Sequence, residues 1–119
     1  MTMIRLLFIL NDPPYGSERS YNGFRLARSL SLRDDTQVKV FLMGDAVGCA
    51  LAGQKTPDGY YNLERMIRAT AVKGVEIGCC GSCLDARGIT DQLLADRVCR
   101  SSLDQLTEWT LWADKVITF

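Results

Sequence analysis

Ile4-Arg-Leu-Leu-Phe-Ile-Leu10 is apolar at six of its seven positions, and the turn residues Asn11-Asp-Pro-Pro-Tyr-Gly16 follow at once. A strand with one wet face alternates apolar and polar residues. A nearly unbroken apolar run belongs to a strand covered on both faces, as in parallel sheets flanked by helices. The two prolines remove backbone donors and fix φ, so the strand stops there. Ser17 is expected to cap the helix that follows. In that helix Tyr21, Phe24, Leu26, Ala27 and Leu30 form a helix-spaced apolar face, with Arg25, Arg28 and Arg33 in water.

The same alternation runs through the rest of the chain. Residues 37–43 read as a second strand closed by Gly44-Asp45, 46–52 as a short helix and 53–59 as a loop. Residues 63–72 read as a helix with Leu63, Met66, Ile67 and Ala71 on one side, ended by Gly74. A short strand, 75–78, leads into a cluster of cysteines; a helical turn at 91–95 and a brief strand at 97–99 follow. Ser102-Leu-Asp-Gln105 has the capping-box pattern and opens a last helix. Its buried face is expected at Leu103, Leu106, Trp109 or Thr110, and Ala113, before a final strand at 116–119. Parallel strands need crossovers, so this series implies an α/β domain, a parallel sheet with helices on both faces. In such sheets ligands bind beyond the carboxyl ends of the strands. Segments 11–16, 44–48 and 79–83 are therefore predicted to gather on one edge.

The 119 residues suffice for a single domain, 1–119, with its own core. The chain is 47% apolar and 24% charged, an ordinary globular balance. Lysine plus arginine equals aspartate plus glutamate at 14 each, without the basic excess that grips a phosphate backbone; no direct nucleic-acid partner is expected. The apolar run near the N-terminus, residues 6–10, is shorter than a secretory signal needs, and no small-residue cleavage site follows it. A membrane span requires roughly 20 residues. The expectation is a soluble cytoplasmic protein without membrane contact.

Cys79, Cys80 and Cys83 are three of five cysteines, and there is no histidine. An odd, clustered set is not a disulfide framework; in a reducing cytosol it reads as a reactive or metal-binding group. The lack of histidine removes Cys-His and Ser-His-Asp catalysis and most zinc sites. Cys80-Gly81-Ser82-Cys83 is a C-x-x-C motif at a strand's end. A thiol attacks only as thiolate, which a helical turn's free N–H groups or a nearby cation favour. Arg87, four residues after Cys83, is within reach if the turn is helical. One cysteine can then attack while the other resolves, or one can carry a persulfide. Two further readings stay open here: a packed free-thiol loop, and a zinc site in which Cys49 joins the three clustered thiolates.

Cys80-Gly-Ser-Cys-Leu-Asp-Ala-Arg-Gly-Ile89 resembles the DsrE/DsrF-like family, in its YchN-like branch. Asn11-Asp-Pro-Pro-Tyr-Gly-Ser-Glu-Arg19, Tyr21-Asn22, Glu108-Trp109-Thr110 and Ala113-Asp114-Lys115-Val116 resemble it too, so the likeness covers nearly the whole chain. The resemblance implies a three-layer α/β/α fold around a five-stranded parallel sheet and a homo-oligomer, whether dimer, trimer or hexamer. It also implies sulfur trafficking with donor and acceptor proteins, as a sulfur carrier or sulfurtransferase, because relatives hold persulfide sulfur on a cysteine. Counting back from Arg87-Gly88-Ile89, Cys80 matches that carrier position. The relay subunits lack a counterpart of Cys83. A second thiol could discharge a persulfide by forming a Cys80–Cys83 disulfide, which leaves a non-catalytic thiol switch or assembly module as the alternative function.

The candidate reactive residues are thus Cys80 and Cys83, with Gly81, Ser82, Arg87, Asn11 and Glu18 as candidate substrate contacts and no metal or cofactor expected. Glu18, Arg19 and Asn22 otherwise read as a solvated helix face. Asp85 is expected to pair with Arg87 or cap the turn. Gly44, Gly48 and Gly53 do not have the G-x-G-x-x-G spacing of a dinucleotide site. Of Trp109 and Trp112, one is expected in the core and the other against a neighbouring subunit. Cys49 and Cys99 read as small buried apolar residues.

Overall fold

The computed structural model describes residues 2–119. Five strands, β1 (Ile4–Leu10), β2 (Thr36–Leu42), β3 (Glu76–Cys80), β4 (Val98–Ser101) and β5 (Lys115–Thr118), form one sheet in the order β4-β3-β2-β1-β5. Every neighbouring pair is parallel. The helices are α1 (Arg19–Ser31), α2 (Leu63–Ala71), the single-turn α3 (Gly81–Ala86) and α4 (Leu103–Trp112), with 3₁₀ segments at Gly44–Ala50 and Asp91–Leu93.

Strand periodicity sorts the core into two layers. Phe8, Val40 and Ile77 lie in register across β1, β2 and β3, as do Leu10, Leu42 and Cys79 across the same face. This face meets α1, which packs along α2. Gly23 is where α1 comes closest: a methyl there would sit 2.6 Å from Leu10 Cδ2, so only glycine fits the helix interior at that point. Lys39, Phe41, Gly78 and Cys80 point the other way, toward α4. There Trp109 is buried with its ring edge-on to Phe41, centroids 6.1 Å apart at 89°. Trp112 is half-buried, and the Lys39 ammonium lies 4.6 Å from its ring centroid and 5.1 Å from that of Trp109. The three layers and the five parallel strands agree with the fold expected above. Among the described residues no helix is long and apolar enough to cross a membrane.

The departures are local. Leu26 is exposed, because the α1 stripe that meets the sheet is Ser20, Gly23, Phe24 and Ala27. Leu103 is exposed too, since it opens α4 beyond the sheet edge. Helix α1 starts at Arg19 with Glu18 at the cap position; the Ser17 hydroxyl nonetheless accepts from the Arg19 N–H at 3.2 Å. The capping box is half made: Ser102 Oγ accepts from the Gln105 N–H, while the Gln105 side chain binds the Ser101 hydroxyl. Cys99 is exposed, not buried, because it lies on edge strand β4. Cys49 is fully buried as expected.

Two buried thiols make stability depend on alkaline pH. Burial pushes both Cys49 and Cys79 from an ordinary 9.0 up to about 12. The folded state therefore holds these protons more tightly than the unfolded chain. Their contribution is complete below pH 9.0 and is lost as pH rises toward 12. We expect unfolding free energy to fall by about 1.4 kcal/mol per pH unit per thiol in that window. Urea midpoints measured from neutral to alkaline pH check this; a flat profile across the window contradicts it.

Candidate functional site

Successive residues of β3 point to opposite faces, and this separates the adjacent cysteines. Cys79, in register with Leu42, lies wholly inside the α1/α2 layer. Cys80, in register with Ser101, points to the α4 face and is 9% exposed. The four thiols Cys49, Cys79, Cys80 and Cys83 thus do not converge as a zinc site requires. Among the described residues, no three Cys, Asp or Glu side chains are grouped to hold a metal ion.

The chain turns sharply after Cys80, and Gly81 makes that turn possible. A Cβ at Gly81 would lie 3.0 Å from the Ser101 carbonyl oxygen and 3.0 Å from Arg100 Nη1. Cys80 caps α3, so Ser82 and Cys83 fall in its first turn with N–H groups that lack intrahelical partners. The Cys80 sulfur lies 3.3 Å from the Ser82 hydroxyl. Burial pushes the Cys80 thiol up, but hydrogen bonds from the Ser82 hydroxyl, the Cys83 thiol and the N–H groups of Cys83 and Ser82 outweigh it. The net direction is below the ordinary thiol value.

Cys83 moves the other way: burial and the hydrogen bond with Cys80 push its thiol up, partly offset by the Gly44 N–H. That N–H donates to Cys83 Sγ at 3.2 Å. Gly44 has φ +54°, a left-handed conformation that suits glycine and aims its N–H at the sulfur. Cys80 is accordingly the thiol that ionises first, and Cys83 remains a protonated neighbour able to donate to it. Chemically the pair can form and resolve a sulfur–sulfur bond.

Arg87 donates from Nη1 to the Cys83 carbonyl at 3.1 Å and forms an ion pair with Asp45, Nη2 to Oδ1 at 2.8 Å. Asp85 pairs with Arg100 (3.1 Å), so the expected Asp85–Arg87 pair is replaced by two pairs with other partners. Arg100 also binds Asp91 at 2.7 Å and donates to the Gly81 carbonyl at 3.1 Å. The predicted gathering of loops is present: Gly48 packs against Pro14, where an added Cβ would lie 3.4 Å from the proline ring, and Gly44 reaches Cys83. Asn11, however, spends its side-chain amide on the Phe119 carbonyl at 3.1 Å. Glu18 is exposed at the start of α1. Neither lines the pocket of about 380 Å³ beside the motif, whose walls include Cys80, Gly81, Ser82 and Cys83. Sequence reasoning missed Asp45, Arg100 and the Gly44 N–H as partners of this loop. The position of Gly44-Asp45 just after β2 was the available signal.

Ser82→Ala removes the hydroxyl beside the Cys80 sulfur. A hydrogen bond to a charged group contributes roughly 1.5 kcal/mol, so thiolate-dependent alkylation of Cys80 at neutral pH should slow by about tenfold. The pH dependence of iodoacetamide modification, read by mass spectrometry, measures this. An unchanged titration midpoint contradicts it.

Residues 5–119 match the DsrE/DsrF-like family. The chain is 40% identical to protein YchN of Escherichia coli K12 over 118 residues, 98% of this chain and 100% of YchN. It is 32% identical over 111 residues to uncharacterized protein MK0008 of Methanopyrus kandleri, covering 93% and 90% of the two chains. The crystal structure of the E. coli YchN protein superposes with a TM-score of 0.92 over 98% of this chain and 100% of that one. MTH1491 of Methanobacterium thermoautotrophicum, a protein of unknown function, shares the fold alone: TM-score 0.78 at 15% identity, covering 98% and 99%. With its five parallel strands and its cysteine motif within the matched residues, the chain belongs to the DsrE/DsrF-like family.

Proposed function

We propose that the protein carries sulfane sulfur as a persulfide on Cys80, with Cys83 as the assisting or resolving thiol. The observation that carries this reading is the hydrogen-bond set around Cys80, which lowers its thiol below the ordinary value on the wall of a pocket. Membership of the DsrE/DsrF-like family supports a sulfur-related role. In the loading step the Cys80 thiolate attacks the outer sulfur of a donor persulfide, R–S–SH. The new bond gives Cys80–S–SH, and R–S⁻ leaves. In forward transfer an acceptor thiolate attacks the outer sulfur, and Cys80 departs as thiolate. Where no acceptor is present, the Cys83 thiolate attacks the inner sulfur, giving a Cys80–Cys83 disulfide and releasing HS⁻. Sulfur donor and acceptor proteins, a homo-oligomeric assembly and a cytoplasmic setting belong to the same proposal.

The test is single turnover after loading with a sulfane donor. Wild-type protein should release sulfide slowly and end as a disulfide, whereas Cys83→Ser should retain its extra sulfur until an acceptor thiol is added. Equal sulfide release from both proteins overturns the role of Cys83. The pair of free thiols in one C-x-x-C loop also favours a second reading, a thiol switch that alters assembly. In that case oxidation changes oligomer size by chromatography, and no sulfur reaches an acceptor.

A further inference from the structure

The walls of the pocket above Cys80 divide by chemistry. Phe41, Met43, Leu103 and Leu106 supply an apolar side, and the three serine hydroxyls opposite them are already engaged. Ser82 faces the Cys80 sulfur, Ser102 Oγ accepts from the Gln105 N–H, and the Ser101 hydroxyl binds the Gln105 side chain. No cation stands on the wall. The two arginines nearest the loop are already paired, Arg87 with Asp45 and the Cys83 carbonyl, Arg100 with Asp85, Asp91 and the Gly81 carbonyl. The start of α4 opens onto the pocket, but its first turn carries Asp104, which meets the positive end of the helix. An anionic group entering here finds no free positive partner.

Leu103 stands at the rim, 71% exposed although it is the first residue of α4. It adds nothing to the core, and its side chain is available to a guest in the pocket. At about 380 Å³ the space is within the range of small-molecule sites.

We infer that this pocket admits a low-molecular-weight persulfide whose substituent on sulfur is apolar and uncharged, reacting in its protonated form R–S–SH, and that Leu103 determines that preference. The inference rests on the sulfur-carrier reading and deepens it: the apolar substituent R lies against Met43 and Leu103 while its outer sulfur meets Cys80. The Cys80 thiolate takes that sulfur, and R–S⁻ leaves past the rim. Inorganic or carboxylate-bearing sulfur donors are disfavoured at the same step.

The test uses two aromatic disulfides that cannot deliver sulfane sulfur, uncharged dithiodipyridine and anionic dithiobis(nitrobenzoate). Cys80 attacks either one, forming a mixed disulfide and releasing one aryl thiolate. Reaction rates are measured on reduced full-length protein carrying Cys99→Ser, which removes the exposed thiol on β4, and are normalised to an uncharged free cysteine derivative. The uncharged reagent should be preferred by about tenfold over that reference, because the anionic reagent must desolvate its carboxylate against an apolar wall without a cation. Leu103→Lys should abolish the preference, and Leu103→Met should keep it. A wild-type ratio equal to the free thiol's, or one unmoved by Leu103→Lys, overturns the inference. These reagents report the pocket whether or not sulfur is carried. Selectivity without sulfur loading sinks the carrier reading alone, and loading without selectivity sinks this inference alone.

Discussion

Cys80→Ser, made in a Cys99→Ser background, is expected to abolish the fast phase of thiol alkylation at pH 7. The reason is the unequal fate of the cysteines. Cys49 and Cys79 are pushed up to about 12, so roughly one thiol in 10⁵ is ionised at pH 7, and both are fully buried. Cys83 is raised by burial and by its hydrogen bond with Cys80. Cys80 alone of this set is lowered. Removing it should cut the alkylation rate by about tenfold or more, while Cys83→Ser should leave a fast phase in place. Peptide mapping after brief iodoacetamide treatment reads both variants. A fast phase that survives Cys80→Ser and disappears with Cys83→Ser would reverse the assignment.

Phe41→Ala should be the most destabilising of the substitutions near the site. Phe41 is 1% exposed, lies edge-on to Trp109 and forms part of the pocket wall. Truncating a buried phenylalanine costs about 3–5 kcal/mol, through lost transfer energy and the cavity left between β2 and α4. A domain of this size has about 5–15 kcal/mol in total, so the variant should lose a large share of its stability. The urea midpoint should fall with the slope unchanged. A loss under about 1 kcal/mol would mean that α4 closes over the gap and that the Phe41–Trp109 contact is not what holds this layer.

The fold was legible because its signals are local and redundant. The apolar run of β1 required cover on both faces, and the turn residues after β1 and β2 set the ends of those strands within a residue or so. Phase was harder to read than period. Leu26 and Leu103 each fit a helical stripe, yet the stripe that meets the sheet depends on where the helix crosses it, and both residues ended in water. Cys99 was misread for a related reason: β4 is an edge strand, and the Cys99 side chain lies open there.

The reactive loop was legible as far as its own residues go. Cys80, Gly81, Ser82 and Cys83 are together because they are consecutive. Their supports come from afar and leave little local trace. Asp45 is 42 residues from Arg87, and the donor to Cys83 is a backbone N–H, which has no side-chain signature. Asn11 and Glu18 were chosen for their place after β1. Their side chains turn elsewhere, since Asn11 ties the end of β1 to the end of β5. The motif singles out Cys80 over its neighbour Cys79, and strand alternation gives the physical reason, since it sends the two side chains to opposite faces of the sheet.

The central claim is that sulfur is carried on Cys80. Its most direct test is the intact mass of the non-reduced protein after incubation with a sulfane donor, for wild type and Cys80→Ser in parallel. The account predicts a gain of one sulfur atom in the wild type, removed by a reductant and absent from the variant. An equal gain in Cys80→Ser, or no gain in a Cys83→Ser protein that cannot discharge its sulfur by forming the disulfide, would contradict it.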